Sequence, residues 1–82
     1  MSGRRYEALP ELVPFGAHIA KLRKAAKLSQ EDVAHEAGLD RGYLSGIENG
    51  KRNPSVAQLL KLAKGLGVTP KELLDYPEAN KR

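Results

Sequence analysis

An all-α domain of five short helices is the fold that three observations predict for this chain. Apolar residues recur at spacings of three and four through five separate stretches. Ser, Thr, Asp and Gly punctuate those stretches as helix caps do. No segment alternates apolar with polar residues as a half-buried strand would. The first helix runs from about Pro14 to Ala26, where Phe15, Ile19, Leu22 and Ala26 form one stripe. Lys21, Lys24 and Lys27 lie away from that stripe, but Arg23 projects only about 40° from Ile19 at 100° per residue. A charge so close to the core border needs a partner. Ser29, followed three residues later by Asp32, is a capping box for a second helix, about Gln30 to Ala37, whose apolar face is Val33, Ala34 and Ala37. Gly38 suits the left-handed position at its end, and Asp40 caps a third helix, about Arg41 to Asn49. Leu44 and Ile47 point inward there, Tyr43 lies beside them, and Gly50 ends the helix. A polar loop, Gly50 to Pro54, carries Lys51 and Arg52. Ser55 caps the fourth helix, whose Val56, Leu59, Leu60, Ala63 and Leu66 make the strongest stripe in the chain, and Gly67 stops it. Thr69, Pro70 and Glu72 combine a capping box with proline at the first helical position, opening a short fifth helix through Leu73 and Leu74. Residues 1–13 show no period and carry Arg4 and Arg5, so they read as a flexible basic N-terminal arm. Residues 77–82 read as a tail, which leaves 14–76 as the domain.

The composition removes most functions. The chain has 82 residues, no cysteine and two histidines, and its fourteen Lys and Arg against ten Asp and Glu leave a formal charge of +4. A domain of this size buries only roughly 60–65 % of the surface its unfolded chain exposes, too little to wall off a large dry active site. Without cysteine there are no disulfides, thiolate zinc sites or thiol nucleophiles. No apolar run approaches the roughly 18 residues that span a bilayer and no signal-like stretch opens the chain, so a cytoplasmic protein without a membrane partner is expected. His18 and His35 lack metal-ligand spacing. Ser29, Asp32 and His35 serve a capping box better than a catalytic triad, and neither a nucleophile elbow nor a phosphate-binding glycine loop is present. The expectation is a protein that is not an enzyme and holds no cofactor or metal. The positive balance makes an acidic polymer a candidate partner.

Residues 29–50, SQEDVAHEAGLDRGYLSGIENG, narrow that partner. Two short helices joined by Gly38, Leu39 and Asp40 cannot pack antiparallel, so they cross steeply in the layout of a helix-turn-helix; a generic helical hairpin is the alternative. The outer face of the third helix is Gly42, Ser45, Gly46 and Asn49, flanked by Arg41 and Tyr43. Each interior glycine costs about 0.8–1 kcal/mol relative to alanine. A close backbone approach to a macromolecule offsets that penalty, as when a bare helix face enters a major groove and Arg41 and Ser45 reach base edges. The alternative is that the glycines admit a neighbouring helix or sit on a solvated face. Their placement opposite the core stripe favours the ligand.

These residues resemble a known family. The stretch from about Phe15 to Leu74 is similar to the helix-turn-helix domain of lambdoid phage repressors, Cro proteins and xenobiotic-response-element-type bacterial regulators. The motifs that carry the likeness are IAKLRKAAKLSQEDVA, the turn AGLD, the string YLSGIENGKRNPS, and LLKLAKGLGVTPKELL. LDRGYLSGIENGKRNPS is especially similar to the controller proteins of restriction-modification systems. The resemblance implies a compact five-helix, lambda-repressor-like domain that binds double-stranded DNA. By position it implies that Gln30 bonds a phosphate and that Arg41, Gly42, Ser45 and Gly46 form the recognition face with Tyr43 beside the DNA backbone. Asn49, Lys51, Arg52 and Asn53 match its phosphate-contacting loop, and Arg23 and Glu48 match an internal salt bridge. Glycine at positions 42 and 46, where many relatives carry contacting side chains, puts more weight on Arg41 for base readout. Family members dimerise through their C-terminal helices, which implies a homodimer through Leu66, Val68, Leu73, Leu74 and Tyr76 on a pseudo-palindromic operator, with no small-molecule effector. The functions implied are a transcriptional regulator in general, or a restriction-modification controller, an antitoxin-type repressor or a phage repressor. A helical protein-interaction module that has lost DNA binding is a remote alternative.

Overall fold

The computed structural model describes residues 8–80, and among these five α-helices follow a 3-10 turn, Pro10–Leu12: α1 Val13–Ala25, α2 Gln30–Ala37, α3 Arg41–Glu48, α4 Val56–Leu66 and α5 Pro70–Leu73. Arg4 and Arg5 of the expected arm, and Lys81 and Arg82 of the expected tail, lie outside the described residues.

Capping sets the boundaries. Ser29 Oγ accepts from the Asp32 N–H at 3.0 Å while the Asp32 carboxylate accepts from the Ser29 N–H at 2.9 Å, and that bonding holds the Asp32 carboxyl below its usual range. The same reciprocal boxes open α4 through Ser55 and Gln58, and α5 through Thr69 and Glu72. Four helix ends close in a Schellman motif around a left-handed residue: Lys27, Gly38, Gly50 and Gly67. After α1, α2 and α4 the next residue is Leu28, Leu39 or Val68, and each packs back on the core. After α3 it is Lys51, whose N–H bonds the Gly46 carbonyl at 2.8 Å while its side chain stays exposed. The loop after α3 therefore begins without an apolar anchor on the core.

The core gathers Phe15 and Ile19 of α1, Val33 and Ala34 of α2, Leu44 and Ile47 of α3, Leu62, Ala63 and Leu66 of α4, and Leu73 of α5. α2 packs chiefly on α4, and α1 crosses α3. Both crossings are close because a glycine stands at each. A Cβ on Gly16 would run into the carbonyl oxygens of Ile47 and Glu48, and one on Gly65 would lie 2.8 Å from the Val33 carbonyl oxygen and 2.9 Å from Ala37 Cβ. The segment after α5 closes over α1, where the Phe15 and His18 rings sit 6.2 and 5.3 Å from Tyr76. His18 Nε2 donates to the Glu72 carbonyl at 2.7 Å. Burial there, with Glu78 nearby, pushes the Tyr76 phenol up.

Four expectations change. The arm does not extend to residue 13: the Leu9 N–H donates to the Gly50 carbonyl at 2.8 Å, residues 10–12 form the 3-10 turn and Val13 opens α1. Leu12, packed on the core, explains why this segment is ordered. Ala26, expected on the apolar stripe, is exposed, and α1 stops one residue before it. The buried stripe of α4 is turned by somewhat less than one residue's 100°. Val56 and Leu60 are 71 % and 53 % exposed while Leu62 is fully buried, because Gly65 draws its own side of α4 against α2. Finally, Leu66 and Leu73, expected at a dimer interface, are 5 % and 1 % exposed and belong to the core of the single chain.

Candidate nucleic-acid interface

The outer surface of α3 is built from its first residue. Asp40 caps the helix, its carboxylate accepting from the Tyr43 N–H at 3.1 Å, and left-handed Gly38 turns the chain from α2 into α3. With Leu44 and Ile47 fully buried, Arg41 and Gly42 are exposed and Ser45 and Gly46 half-buried on the opposite side. These four predicted residues share one face. Asn49 follows as the C-cap rather than as a helical residue, and its side-chain amide turns back to donate to the Ser45 carbonyl at 2.9 Å. Lys51, Arg52 and Asn53 are exposed on the loop beyond.

The two glycines of this face differ. Among the described residues, a Cβ on Gly42 would meet only the Asp40 Oδ2, at 3.0 Å. A Cβ on Gly46 would lie 2.5 Å from Arg52 Cγ, because the arginine stem crosses that position. Gly42 is thus open to an incoming molecule, whereas Gly46 is covered from within the chain. The covering group is a loop side chain, not the neighbouring helix weighed from sequence.

Behind the face lies a polar cluster that holds α3 in place. Arg23 Nε and Nη2 donate to Glu48 Oε2 and Oε1 at 2.7 and 3.0 Å, and Nη1 donates to the Leu28 carbonyl at 2.9 Å. This is the partner that the angle of Arg23 called for. The two side chains are only 13 % and 7 % exposed, and hydrogen bonding to Glu48 raises the Arg23 pKa above its usual value despite the opposing burial. Gln30 joins them, donating to Glu48 Oε1 at 3.0 Å. The side chain expected on a phosphate is thus bonded inward, at the junction of α2 and α3. Glu48 is the only carboxylate within α3, and Arg23 compensates it, so the helix presents no net negative charge to a polyanion.

Tyr43 is anchored as well. Its hydroxyl donates to Gln58 Oε1 at 2.6 Å, the same oxygen that accepts from the Ser55 N–H at 3.0 Å in the α4 capping box. Sequence reasoning missed Gln58 as a support of α3. The signal was present in the Ser55-to-Gln58 spacing, which announces the cap but not the tyrosine that shares it. Among the described residues no cluster of His, Asp and Glu could hold a metal ion, and no helix is long and apolar enough to cross a membrane.

Known proteins with this arrangement identify the family. A helix-turn-helix family model matches residues 19–73. The chain is 52 % identical over 62 residues to the control protein C.MunI of Mycoplasma sp, covering 74 % of this chain and 84 % of that protein. It is 44 % identical over 63 residues to the control protein C.BamHI of Bacillus amyloliquefaciens, covering 76 % and 78 %. Its fold matches the crystal structure of the restriction-modification controller protein C.AhdI from Aeromonas hydrophila with a TM-score of 0.77 at 48 % identity, covering 79 % of this chain and 98 % of that one. By the match over residues 19–73, and by likeness to relatives spanned over most of their length, the chain belongs to the XRE-type helix-turn-helix family of DNA-binding transcriptional regulators.

Proposed function

We propose that this protein regulates transcription as a homodimer bound to a pseudo-palindromic operator, in the manner of a restriction-modification controller. One observation carries the reading: the outer face of α3 is narrowed at Gly42, Arg41 stands at its N-terminal end, and Lys51 and Arg52 follow it, exposed, on the loop beyond. A slim helix face entering a major groove brings Arg41 to the base edges, where bidentate bonding to guanine discriminates by about 1–3 kcal/mol. Lys51 and Asn53 flank the groove at phosphate level, and Tyr43, held by Gln58, lies beside the backbone. Gln30 reaches a phosphate only if it turns from Glu48.

Dimerisation supplies the second half-site. Of the residues first expected at the interface, Leu74 is 50 % exposed, and Val68 and Tyr76 are half-buried. Leu74 and Tyr76 border a cleft with Leu59, and the exposed Val56 and Leu60 share the surface of α4 with Leu59. We assign the interface to this surface. Two recognition helices one DNA turn apart, roughly 34 Å, then read the two half-sites.

The test is selection from a random-sequence duplex library, followed by titration of the enriched duplex against salt. An inverted repeat is expected, with log affinity falling linearly with log salt because several phosphates are neutralised. Arg41→Ala is expected to flatten the preference at one base pair of each half-site. No enriched duplex, or binding insensitive to salt, overturns the reading in favour of a helical interaction module. Methyltransferase and endonuclease genes beside the coding sequence are the expected sign of the controller role.

A further inference from the structure

We propose that Gly46 is a positioning residue that acts through Arg52: its bare Cα is the seat on which the arginine stem lies, and this presents the guanidinium to DNA from the recognition face rather than from a wandering loop. The proposal rests on the DNA-binding reading above.

Three features of the backbone and side chains converge on that seat. The Schellman turn at the end of α3 bonds the Lys51 N–H to the Gly46 carbonyl at 2.8 Å, and left-handed Gly50, with φ of 73°, reverses the chain there. Arg52 is the second residue after that reversal, so its Cα returns beside the turn of α3 that holds Gly46. Its side chain then crosses Gly46, with Cγ, Cδ and Nε at 2.5, 3.5 and 3.4 Å from where a Cβ would stand. The turn itself is fixed from the other side. A Cβ on Gly50 would lie 2.9 Å from Val13 Cα, and the Gly50 carbonyl accepts from the Leu9 N–H.

Seating matters because arginine has a long stem with many rotamers, and each rotamer lost on binding weakens the complex. A stem restrained before DNA arrives has already lost that freedom. Gly46 also opposes helix formation, a penalty that Gly42 shares without any atom of the described residues lying over it beyond its own cap. Filling position 46 returns helix propensity and evicts the arginine stem, so stability and DNA binding move in opposite directions.

The experiment combines Gly46→Ala, Arg52→Ala and the double variant in the full chain, with melting temperature and affinity for the duplex enriched by the unsubstituted protein as readouts. Gly46→Ala is expected to melt at an equal or higher temperature yet bind about tenfold more weakly per half-site, as Arg52→Ala does. In the Arg52→Ala background the same Gly46→Ala change is expected to cause no further loss. Gly42→Ala serves as a control whose effect adds to that of Arg52→Ala. Additive losses for Gly46→Ala and Arg52→Ala, or unchanged binding by Gly46→Ala, overturn the positioning role while leaving the DNA reading intact. If Gly46→Ala melts early, recovery of the melting temperature in the double variant supports the contact, and no recovery overturns it. Failure of the unsubstituted chain to enrich any duplex overturns the DNA reading and this proposal together.

Discussion

Lys27 is the one described residue other than glycine with a positive φ, 61°, and it stands where the other three Schellman turns have glycine. A left-handed backbone costs a residue with a Cβ about 1–2 kcal/mol, and glycine returns about half of that through its freer unfolded chain. Lys27→Gly is therefore expected to stabilise the protein by about 0.5–1 kcal/mol, seen as a higher denaturant midpoint with an unchanged slope. Its side chain is exposed, so no lost packing offsets the gain. Glu48 illustrates the opposite sign. It accepts from Arg23 and Gln30 in a largely buried cluster, and Glu48→Ala leaves the guanidinium without its charge partner. Breaking a buried pair on one side is expected to lower stability by about 3 kcal/mol. The combined Arg23→Met, Glu48→Leu variant is expected to lose less than that, since it removes both charges together. A double-mutant cycle by urea unfolding checks both statements.

At the scale of elements, α3 is held on three sides: by the Arg23 cluster, by Tyr43 on the α4 cap, and by the crossing of α1 at Gly16. The third contact is the least tolerant, because the atoms facing Gly16 are backbone carbonyls of Ile47 and Glu48 and no side chain can rotate aside. Gly16→Ala is expected to push α1 and α3 apart at about 1–3 kcal/mol of stability, the usual range for an added methyl in a tight core. It is also expected to weaken DNA binding beyond that loss, because the displaced turn is the one that leads into Lys51 and Arg52. Thermal melting and duplex titration on the same preparation separate the two effects. An unaltered melting temperature would show that the crossing yields more easily than its geometry indicates.

In the proposed assembly the molecule divides its surface between a polyanion and a second copy of itself. There α3 with its loop faces DNA, and the exposed apolar residues Val56, Leu60 and Leu74 face the second copy. Leu60→Glu adds a charge to a half-exposed position, so the fold of the single chain is expected to change by less than about 0.5 kcal/mol. Sedimentation is expected to show a shift from dimer to monomer, with operator affinity falling because the half-sites are no longer read together. A dimer of undiminished stability in Leu60→Glu would place the interface elsewhere.

Much of this was legible in the linear chain. Helix boundaries lay within a residue of their expected positions, since caps such as Ser29 with Asp32 and stops such as Gly38 act within four residues and need no distant partner. The angle of Arg23 near the core border, together with the family likeness, pointed to its pairing with Glu48. The sequence by itself thus determined the helices, their order, the helix-turn-helix and the charge that surrounds it. Only the tertiary structure decided which side of α4 faces inward, that Leu66 and Leu73 belong to the core, that Gln30 turns to Glu48, and that Arg52 covers Gly46 and not Gly42. Each of those outcomes depends on atoms brought together across the fold or around a turn, such as Gly65 against Val33, and neither periodicity nor capping carries information about them.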